Sequence, residues 1–230
     1  MTEAPSSLVI TADDYGYRPT YDEGILEAVR AGAVDAVSAM VSGEVDPAPL
    51  LEARVEVGLH LELAQMPDRA AAGPAEREEA IDALGAQLTR FEDLFGRPPA
   101  YLDGHHHCHA REGLAPDIAR IAAARNLPVR SVGARHRRLL RGVGVATSDR
   151  LVGRTEETEP PLPEEIAHVL DGGDAPRGVT EWMVHPGHRD PQAASSFDAA
   201  REQDLELVVD LADVVGRAFR RGTHAALTRS

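Results

Sequence analysis

The sequence predicts an α/β domain in which short strands alternate with longer helices. Short apolar runs rich in branched residues recur between amphipathic stretches that have helical spacing. Of the 230 residues 43% are hydrophobic, which is enough for one large core, and neither a repeat nor a linker divides them. We therefore expect a single domain that spans residues 1–230.

The first third of the chain predicts three strands and one helix. Residues 8–12 form an apolar run typical of a first strand. Asp22 is placed to cap the following helix, and Gly32 lies just past its expected end. Residues 34–41 and 55–63 are predicted to be the second and third strands.

The middle of the chain predicts a long helix over residues 75–95, because its apolar residues are spaced alternately by three and four. A short strand ending at Asp103 follows, and then a helix over residues 114–125 and a strand over 127–132. Residues 133–163 show weak periodicity, so we expect an irregular excursion there.

Regular structure is predicted again in the last third of the chain. The pattern predicts a helix over residues 164–170, a strand over 179–185, a long helix over 197–221 and a final strand over 224–228.

Composition and charge exclude several classes of function. A net charge of −14 argues against a polyanionic partner such as a nucleic acid and favours a neutral or cationic substrate. No run of eighteen apolar residues and no leader-like N-terminus occurs, so we expect no membrane span and a cytoplasmic protein. The single cysteine, Cys108, excludes an intramolecular disulfide.

Four of the predicted strands end in polar side chains. They are Asp13 and Asp14, His60, the cluster over residues 103–109, and His185. Because the carboxyl ends of parallel strands meet on one face, we expect these groups to converge and build a site.

Adjacent carboxylates at the end of the first strand suggest divided roles. Asp13 and Asp14 repel each other unless one binds a cation while the other faces a water or a proton. A simple turn is the alternative, since Asp and the following Gly16 both favour turns.

The segment DGHHHCH favours a metal site, because four histidines and an aspartate within seven residues are poor material for packing. His60 alone could equally be a satisfied core residue. His185 could be a general acid near neutral pH or a capping residue in a turn.

Five segments, in order, resemble the YdjC-like carbohydrate deacetylase family: TADDYGY, GILEAVRAGAV, VGLHLEL, LFGRPPAYLDGHHHCH and EWMVHPG. ADDYG is similar to the family's ADDFG, and LDGHHHCH to its LDSHHHVH. The resemblance implies a distorted (β/α) barrel, TIM-barrel-like and related to the polysaccharide deacetylases. It also implies hydrolysis of the acetamide of N-acetylated sugars such as chitooligosaccharides, with release of acetate.

The resemblance also implies site residues. Asp14, His60 and His105 match the family's ligands for one divalent metal ion, zinc or magnesium. Asp13 matches its general base, and His185 matches the histidine expected to act as acid.

The rest of the histidine motif has no implied role. His106, His107 and His109 fit outer contacts of the ligands, and His107 or His109 is an alternative third ligand. Cys108 stands where the family has valine. The loops after Pro67 and within residues 133–163 are short for the family, which leaves the choice of sugar open.

Few aromatic residues are available to contact a sugar, since they make up 4% of the chain. Tyr15 and Trp182 are our predicted substrate contacts, and Tyr17 and Tyr101 also lie near the motifs. Trp182 could equally belong to the core.

Two other functions fit the same residues. A phosphoesterase could use the same ligands, although two carboxylates disfavour an anionic substrate. A non-catalytic sugar-binding protein could keep the metal as a structural element, although it would not need Asp13 beside the ligand. Size and fold class suggest a homodimer.

Overall fold

The computed structural model describes residues 6–63, 73–156, 159–193 and 197–227. The described strands are β1 Ser7–Tyr15, β2 Ala36–Ala39, β3 Glu56–Leu61, β4 Leu102–Gly104, β5 Arg150–Val152, β6 Val179–Val184 and β7 Arg220–Arg221. The described α-helices are α1 Pro19–Arg30, α2 Ala48–Ala53, α3 Pro74–Phe95, α4 Ala115–Arg125, α5 Ala134–Gly142, α6 Glu164–Leu170 and α7 Asp198–Ala218. The described residues also include the 3-10 helices His105–Ala110 and His224–Ala226.

The strands form a parallel sheet in the order β4-β3-β2-β1-β6-β5, and β7 pairs with the start of β1. Backbone pairing continues past β4. Val129 makes a parallel bridge to Leu102, and its N–H donates to the carbonyl oxygen of Ala146 at 3.0 Å. From there the chain runs into β5, beside β6. The result is the distorted barrel of strands and helices that the family resemblance implies.

Successive side chains of β1 point alternately towards the surrounding helices and into the barrel. Leu8, Ile10 and Ala12 belong to the main apolar core together with residues of the surrounding helices. Val9 packs in a separate small cluster, and Thr11 donates to Glu181 at 3.3 Å. The inner face of the barrel is therefore strongly polar towards its carboxyl end.

The predicted helix over residues 75–95 is confirmed as α3. Its buried apolar residues follow the spacing of three and four that the sequence shows, and they cover the sheet near β3. The helix ends at Gly96, whose φ of 66° places it in the left-handed region that glycine adopts readily.

Two sequence predictions in the middle of the chain are corrected by the structure. Residues 133–163 contain α5 and β5 rather than an irregular excursion. In α5 only His136 and Leu140 are buried and arginines cover the rest, so the apolar pattern is too sparse to reveal the helix. Residues 127–132 make a single bridge instead of a strand.

The last predicted strand is also wrong. Within residues 224–228 the described part forms the 3-10 helix His224–Ala226, and the strand lies just before it at β7. Residue 228 lies outside the described residues. His224 is 2% exposed because it turns into the amino end of the barrel.

Asp22 does not cap α1 as predicted. The helix begins at Pro19, and its N-cap residue Arg18 makes no side-chain cap. Proline fits the first helical position because its missing N–H has no partner there. Asp22 instead accepts the backbone N–H of Gly16 at 2.7 Å, which ties the turn after β1 to the helix.

In the described part of the chain, none of the helices combines the length and the apolar character that crossing a bilayer requires.

Candidate metal centre and active site

The end of β1 carries both adjacent carboxylates into the barrel. The register between β1 and β2 shifts between Ala12 and Tyr15, and Asp14 has a φ of 75° in the left-handed region. In a regular strand two successive side chains point to opposite faces. The irregularity removes that restriction, and Asp13 and Asp14 are both buried, at 1% and 2% exposed.

His60 and Asp103 come together through strand register. They are partners in the β3–β4 pairing, and His60 Nδ1 lies 2.7 Å from Asp103 Oδ1. Asp103 also accepts a hydrogen bond from Ser38 at 2.7 Å. Burial alone lowers the pKa of His60, but the charge and hydrogen bonds of Asp103 and Asp14 raise it to about 10.

One oxygen of Asp14 is the meeting point of two imidazoles. Asp14 Oδ1 lies 3.2 Å from His60 Nε2 and 2.9 Å from His105 Nδ1. The three donor atoms lie within 4.8 Å of one another, so these residues could hold a metal ion. Burial raises the pKa of the Asp14 carboxyl, but hydrogen bonds from His105 and His60 and the charge of Arg201 hold it well below its ordinary value.

The hydrogen bonds of His60 are compatible with either a second proton on its ring or a cation in this cluster. A neutral His60 that donates its Nδ1 proton to Asp103 leaves a lone pair on Nε2, directed at an oxygen of Asp14. Two lone pairs at 3.2 Å repel unless His60 is doubly protonated or a cation lies between them. A carboxylate that orients a ligand histidine from behind is the usual arrangement around zinc.

Arg130 supports Asp13 from inside the barrel. Its Nη1 and Nη2 donate to the two oxygens of Asp13 at 2.6 and 2.8 Å, and its Nε donates to Glu181 at 2.7 Å. Arg130 is 0% exposed and also lies 2.9 Å from Asp103. Burial raises the pKa of Asp13, but Arg130 outweighs it and lowers that pKa below its ordinary value.

Arg130 also decides between two potential cation positions. Asp13, His60 and Asp103 likewise bring their donor atoms within 4.8 Å of one another. The Arg130 guanidinium donates to both oxygens of Asp13 and lies 2.9 Å from Asp103 Oδ2. Asp14 Oδ1 instead faces the two imidazoles of His60 and His105, and Arg201 binds the other oxygen. The cluster of Asp14, His60 and His105, which we call the cation cluster, is the better position for an ion.

His185 follows β6 and lies close enough to Asp14 and Asp13 to interact with both carboxylates. Ala12 pairs with Val184 across β1 and β6, so Asp13 and His185 follow neighbouring positions. The His185 backbone N–H donates to Asp204 of α7 at 2.9 Å, which fixes the turn after β6. Burial lowers the pKa of the His185 ring, while Asp14 and Asp13 oppose this effect.

Two further histidines of the motif, His107 and His109, lie outside the cation cluster. His109 lies 3.1 Å from the carbonyl oxygen of Arg130 and has its ring 5.5 Å from that of His136, away from the cation cluster. His107 has a φ of 54°, and burial lowers its pKa to about 4, so its ring is neutral. Neither residue belongs to a described donor group, so neither replaces His105 in the cation cluster.

A family model described as YdjC-like protein matches residues 7–214 of this chain. The chain belongs to the YdjC-like protein family.

Curated relatives of this YdjC-like chain carry deacetylase names. It is 33% identical over 178 residues to the carbohydrate deacetylase of Homo sapiens, covering 64% of this chain and 53% of that protein. It is 33% identical over 147 residues to the chitooligosaccharide deacetylase of Serratia marcescens, covering 54% and 58%. The chain thus spans about half the length of the curated relatives it matches.

Solved structures share the barrel of the YdjC-like chain. A protein of Enterococcus faecalis V583, provisionally named as a cellobiose-phosphate cleavage protein, superposes with a TM-score of 0.74 at 22% identity over 98% of this chain and 99% of that one. A CE4 esterase of Streptococcus mutans gives a TM-score of 0.56 at 14% identity, over 96% and 86%. Both likenesses show the fold alone.

The predicted substrate contacts Tyr15 and Trp182 are not available on the surface of the YdjC-like chain. They are 2% and 0% exposed, and the Tyr15 hydroxyl donates to the Asp46 carbonyl at 2.8 Å. Both positions are strand residues whose neighbours cover the rings. Tyr17 is the exposed alternative, at 38%, and its ring lies 5.3 Å from that of His105.

The sequence analysis did not identify three buried charged residues that pair with one another or with the carboxylates of the site: Arg130, Glu181 and Arg201. Arg130 and Glu181 each interrupt an apolar run in the sequence, and a charged residue inside an apolar strand signals a buried ion partner. Arg201 gave no such signal, because it lies in a polar first turn of α7 that resembles any surface helix.

Proposed function

We propose that this protein is a metal-dependent carbohydrate deacetylase that hydrolyses the acetamide of an N-acetylated sugar to acetate and a free amine. The observation that carries the proposal is the cation cluster, in which Asp14, His60 and His105 lie beside a separately held carboxylate, Asp13. The names of the curated relatives support the same reaction.

The donor set favours zinc over magnesium. Two imidazole nitrogens and one carboxylate oxygen suit a borderline ion such as zinc, whereas magnesium prefers oxygen ligands. His105 is the outermost ligand, with 20% of its side chain exposed, so substrate approaches from its side. A divalent cation held here supplies Lewis-acid chemistry, polarising the acetyl carbonyl and making a nearby water more acidic.

Asp13 takes the proton of the attacking water. Arg130 binds one lone pair on each Asp13 oxygen, which leaves the other lone pairs free to accept. The same ion pair keeps Asp13 ionised and fixes the direction in which the carboxylate points. Asp13 is therefore ready to act as general base without needing to bind the cation.

His185 in its protonated form gives a proton to the departing amine nitrogen, and because burial lowers its pKa this form is the minor one near neutral pH. The water oxygen bonds to the acetyl carbon, the carbon–nitrogen bond breaks, and the electron pair of that bond stays on nitrogen. Asp13 gains the proton that water loses, and His185 supplies the proton that the amine gains. Exchange with solvent restores both groups after acetate leaves.

Tyr17 is the proposed contact for the sugar ring. Its ring lies 5.3 Å from the His105 ring and 5.9 Å from the Tyr21 ring, so it borders the cation cluster on the exposed side. The apolar face of a sugar can pack on such a ring while its hydroxyl groups stay in water. Tyr17 thus takes the role that we had predicted for Tyr15 and Trp182.

The proposal is tested by measuring acetate release. Metal-stripped protein is resupplied with zinc, cobalt, magnesium or manganese and incubated with N-acetylglucosamine, its short oligomers and related acetylated sugars. We expect acetate release that needs metal and is strongest with zinc or cobalt. Release of phosphate from phosphorylated sugars without acetate would favour the phosphoesterase instead, and unchanged sugars that still bind would favour the non-catalytic protein.

A further inference from the structure

Arg201 is a buried cation that contacts the cation cluster from α7. The residue is 1% exposed, and its Nη2 donates to Asp14 Oδ2 at 2.5 Å. The other oxygen of the same carboxylate, Oδ1, is the one that His60 and His105 face. The two oxygens of Asp14 therefore have different partners.

The position of the Arg201 guanidinium is fixed by its packing. Its central carbon lies 3.8 Å from the centroid of the Tyr21 ring, in a cation–π contact. A Cβ added at Gly187 would lie 3.2 Å from Arg201 Cδ, so the turn after β6 leaves the side chain little room. The Tyr21 hydroxyl in turn donates to Asp198, the first residue of α7, at 3.0 Å.

Asp14 is the only hydrogen-bond acceptor of the Arg201 guanidinium in residues 6–63, 73–156, 159–193 and 197–227. Its Nε and Nη1 are buried without a partner in that part of the chain. A buried guanidinium that merely joined α7 to the barrel would gain most from several carbonyl oxygens. The Arg201 guanidinium instead donates to one oxygen of one carboxylate, Asp14 Oδ2.

We propose that Arg201 is a positioning residue for the cation cluster, an inference that rests on the proposed function. By binding Oδ2, Arg201 restricts Asp14 to ligation through Oδ1 alone. One-oxygen ligation keeps the coordination number low, which leaves an open position for water and for the acetyl oxygen. Contacts of this kind to a ligand tune affinity and orientation.

A purely structural role makes a different prediction. Arg154 offers the matched comparison, because it is also buried, at 3% exposed, and also pairs with a carboxylate of α7, that of Asp204. Asp204 is not part of the cation cluster. If Arg201 only stabilised the fold, Arg201→Met and Arg154→Met would lower the thermal stability and leave zinc affinity equally unchanged.

The experiment measures zinc affinity by competition calorimetry and the visible spectrum of the cobalt(II) form, both without sugar. The variants are Arg201→Met, Arg201→Lys, Arg154→Met and Asp14→Asn, with Arg201→Gln replacing Arg201→Met if the latter does not fold. We expect the Arg201→Met affinity to fall about tenfold or more. We also expect its cobalt bands to weaken as Asp14 binds through both oxygens. Arg201→Lys should recover part of both, and Arg154→Met should keep wild-type values.

The inference is overturned by a folded Arg201→Met protein with zinc affinity within twofold of wild type and an unchanged cobalt spectrum. An equal loss of affinity in Arg154→Met would also overturn it. Wild-type zinc affinity in Asp14→Asn would contradict the cation cluster itself and therefore both proposals. Absence of acetate release with the expected zinc results would reject only the deacetylase function.

Discussion

Two buried histidines at opposite ends of the barrel have nearly the same surroundings and different consequences. His60 at the carboxyl end and His224 at the amino end are each 2% exposed, and each lies between two carboxylates. Burial lowers both pKa values, but the neighbouring carboxylates raise that of His60 to about 10 and that of His224 to about 9.

The two ends differ in how donors match acceptors. At the amino end, Glu56 accepts hydrogen bonds from the backbone N–H groups of His224 and Ala225 at 2.7 and 3.0 Å, and the Tyr101 ring stacks on His224 at 3.7 Å. Both oxygens of Glu56 are thus bound by N–H groups of the His224–Ala225 segment. At the carboxyl end, His60 and His105 both face one oxygen of Asp14, beside an exposed edge. The two ends therefore differ in that backbone N–H groups bind the Glu56 carboxylate, whereas Asp14 Oδ1 faces two side-chain imidazoles.

A continuous line of charged groups joins the two ends through the barrel. His224 lies 3.3 Å from Glu181, which accepts from Arg130 at 2.7 Å, and Arg130 binds Asp13. Burying such charges costs desolvation free energy unless each is paired. The charges along this line alternate in sign, which is why the fold tolerates a polar interior.

The largest expected effect concerns Asp13. Replacing Asp13 by Asn removes the proposed general base but keeps the shape of the side chain. We expect kcat for acetate release to fall by about 10² to 10⁴, because general bases contribute on that scale. Zinc affinity should stay within about threefold of wild type.

A matched control for that variant is Asp35→Asn. Asp35 is also an aspartate paired with an arginine, Arg221 at 2.8 Å, but it lies on the loop before β2 near the amino end. Its activity should remain close to wild type. Equal loss of activity in both variants would show that disturbing any arginine–aspartate pair is enough.

The next effect distinguishes the two histidines directly. In His60→Gln the zinc affinity should fall about 100-fold or more, since even outer contacts of a ligand are worth 10- to 100-fold. In His224→Gln it should stay within about threefold. Calorimetric titration of both variants measures this, and a larger loss in His224→Gln would reverse the assignment of the two ends.

The contribution of His224 to the free energy of unfolding should decrease as the pH rises, whereas that of a carboxylate with a lowered pKa decreases as the pH falls. The folded pKa of His224, about 9, lies above its value of 6.5 in the unfolded chain, so folding favours the protonated ring. Its contribution is full below pH 6.5, is lost as pH rises through 9, and is on the order of 3 kcal/mol.

Urea unfolding of zinc-loaded wild type and His224→Gln from pH 6 to pH 10 measures this contribution. The difference in unfolding free energy between the two proteins should be largest at pH 6 and shrink towards pH 10. A difference that stays constant over this range would show that the Glu56–His224–Glu181 cluster does not hold a proton on folding.

The smallest expected effect concerns Tyr17. Replacing Tyr17 by Ala should raise KM for acetylated sugars about fivefold, since losing an apolar contact of ~40 Å² costs about 1 kcal/mol. The value of kcat should stay within about twofold, and Tyr17→Phe should behave as wild type because the ring face is kept. A fall in kcat with unchanged KM would place Tyr17 outside the sugar contact.

The sequence pattern predicted most elements that depend on residues within one segment. It did not predict features that depend on contacts between distant residues. The spacing of apolar residues predicted α3, and the short apolar runs predicted β1, β3 and β6, because each pattern lies within one segment. The arginine-rich α5 escaped prediction because its buried residues are only His136 and Leu140. His224 was placed in a strand, because no local signal shows that it turns into the barrel.

The same distinction holds for the candidate site. Asp14, His60 and His105 could be predicted to converge, since all three lie at or just past the carboxyl ends of strands that meet on one face. Arg201 reaches Asp14 across 187 positions of sequence, and Arg130 reaches Asp13 across 117. Tyr15 and Trp182 were chosen for their ring type and their nearness to motifs, and neither property reports burial.

The most direct test of the account is anomalous diffraction at the zinc edge from crystals of the zinc-loaded protein. We predict one strong peak about 2.0 to 2.2 Å from Asp14 Oδ1, His60 Nε2 and His105 Nδ1, with Arg201 still on Asp14 Oδ2. A peak at His107 and His109, at the His224 cluster, or between Asp13 and Asp103 would contradict it.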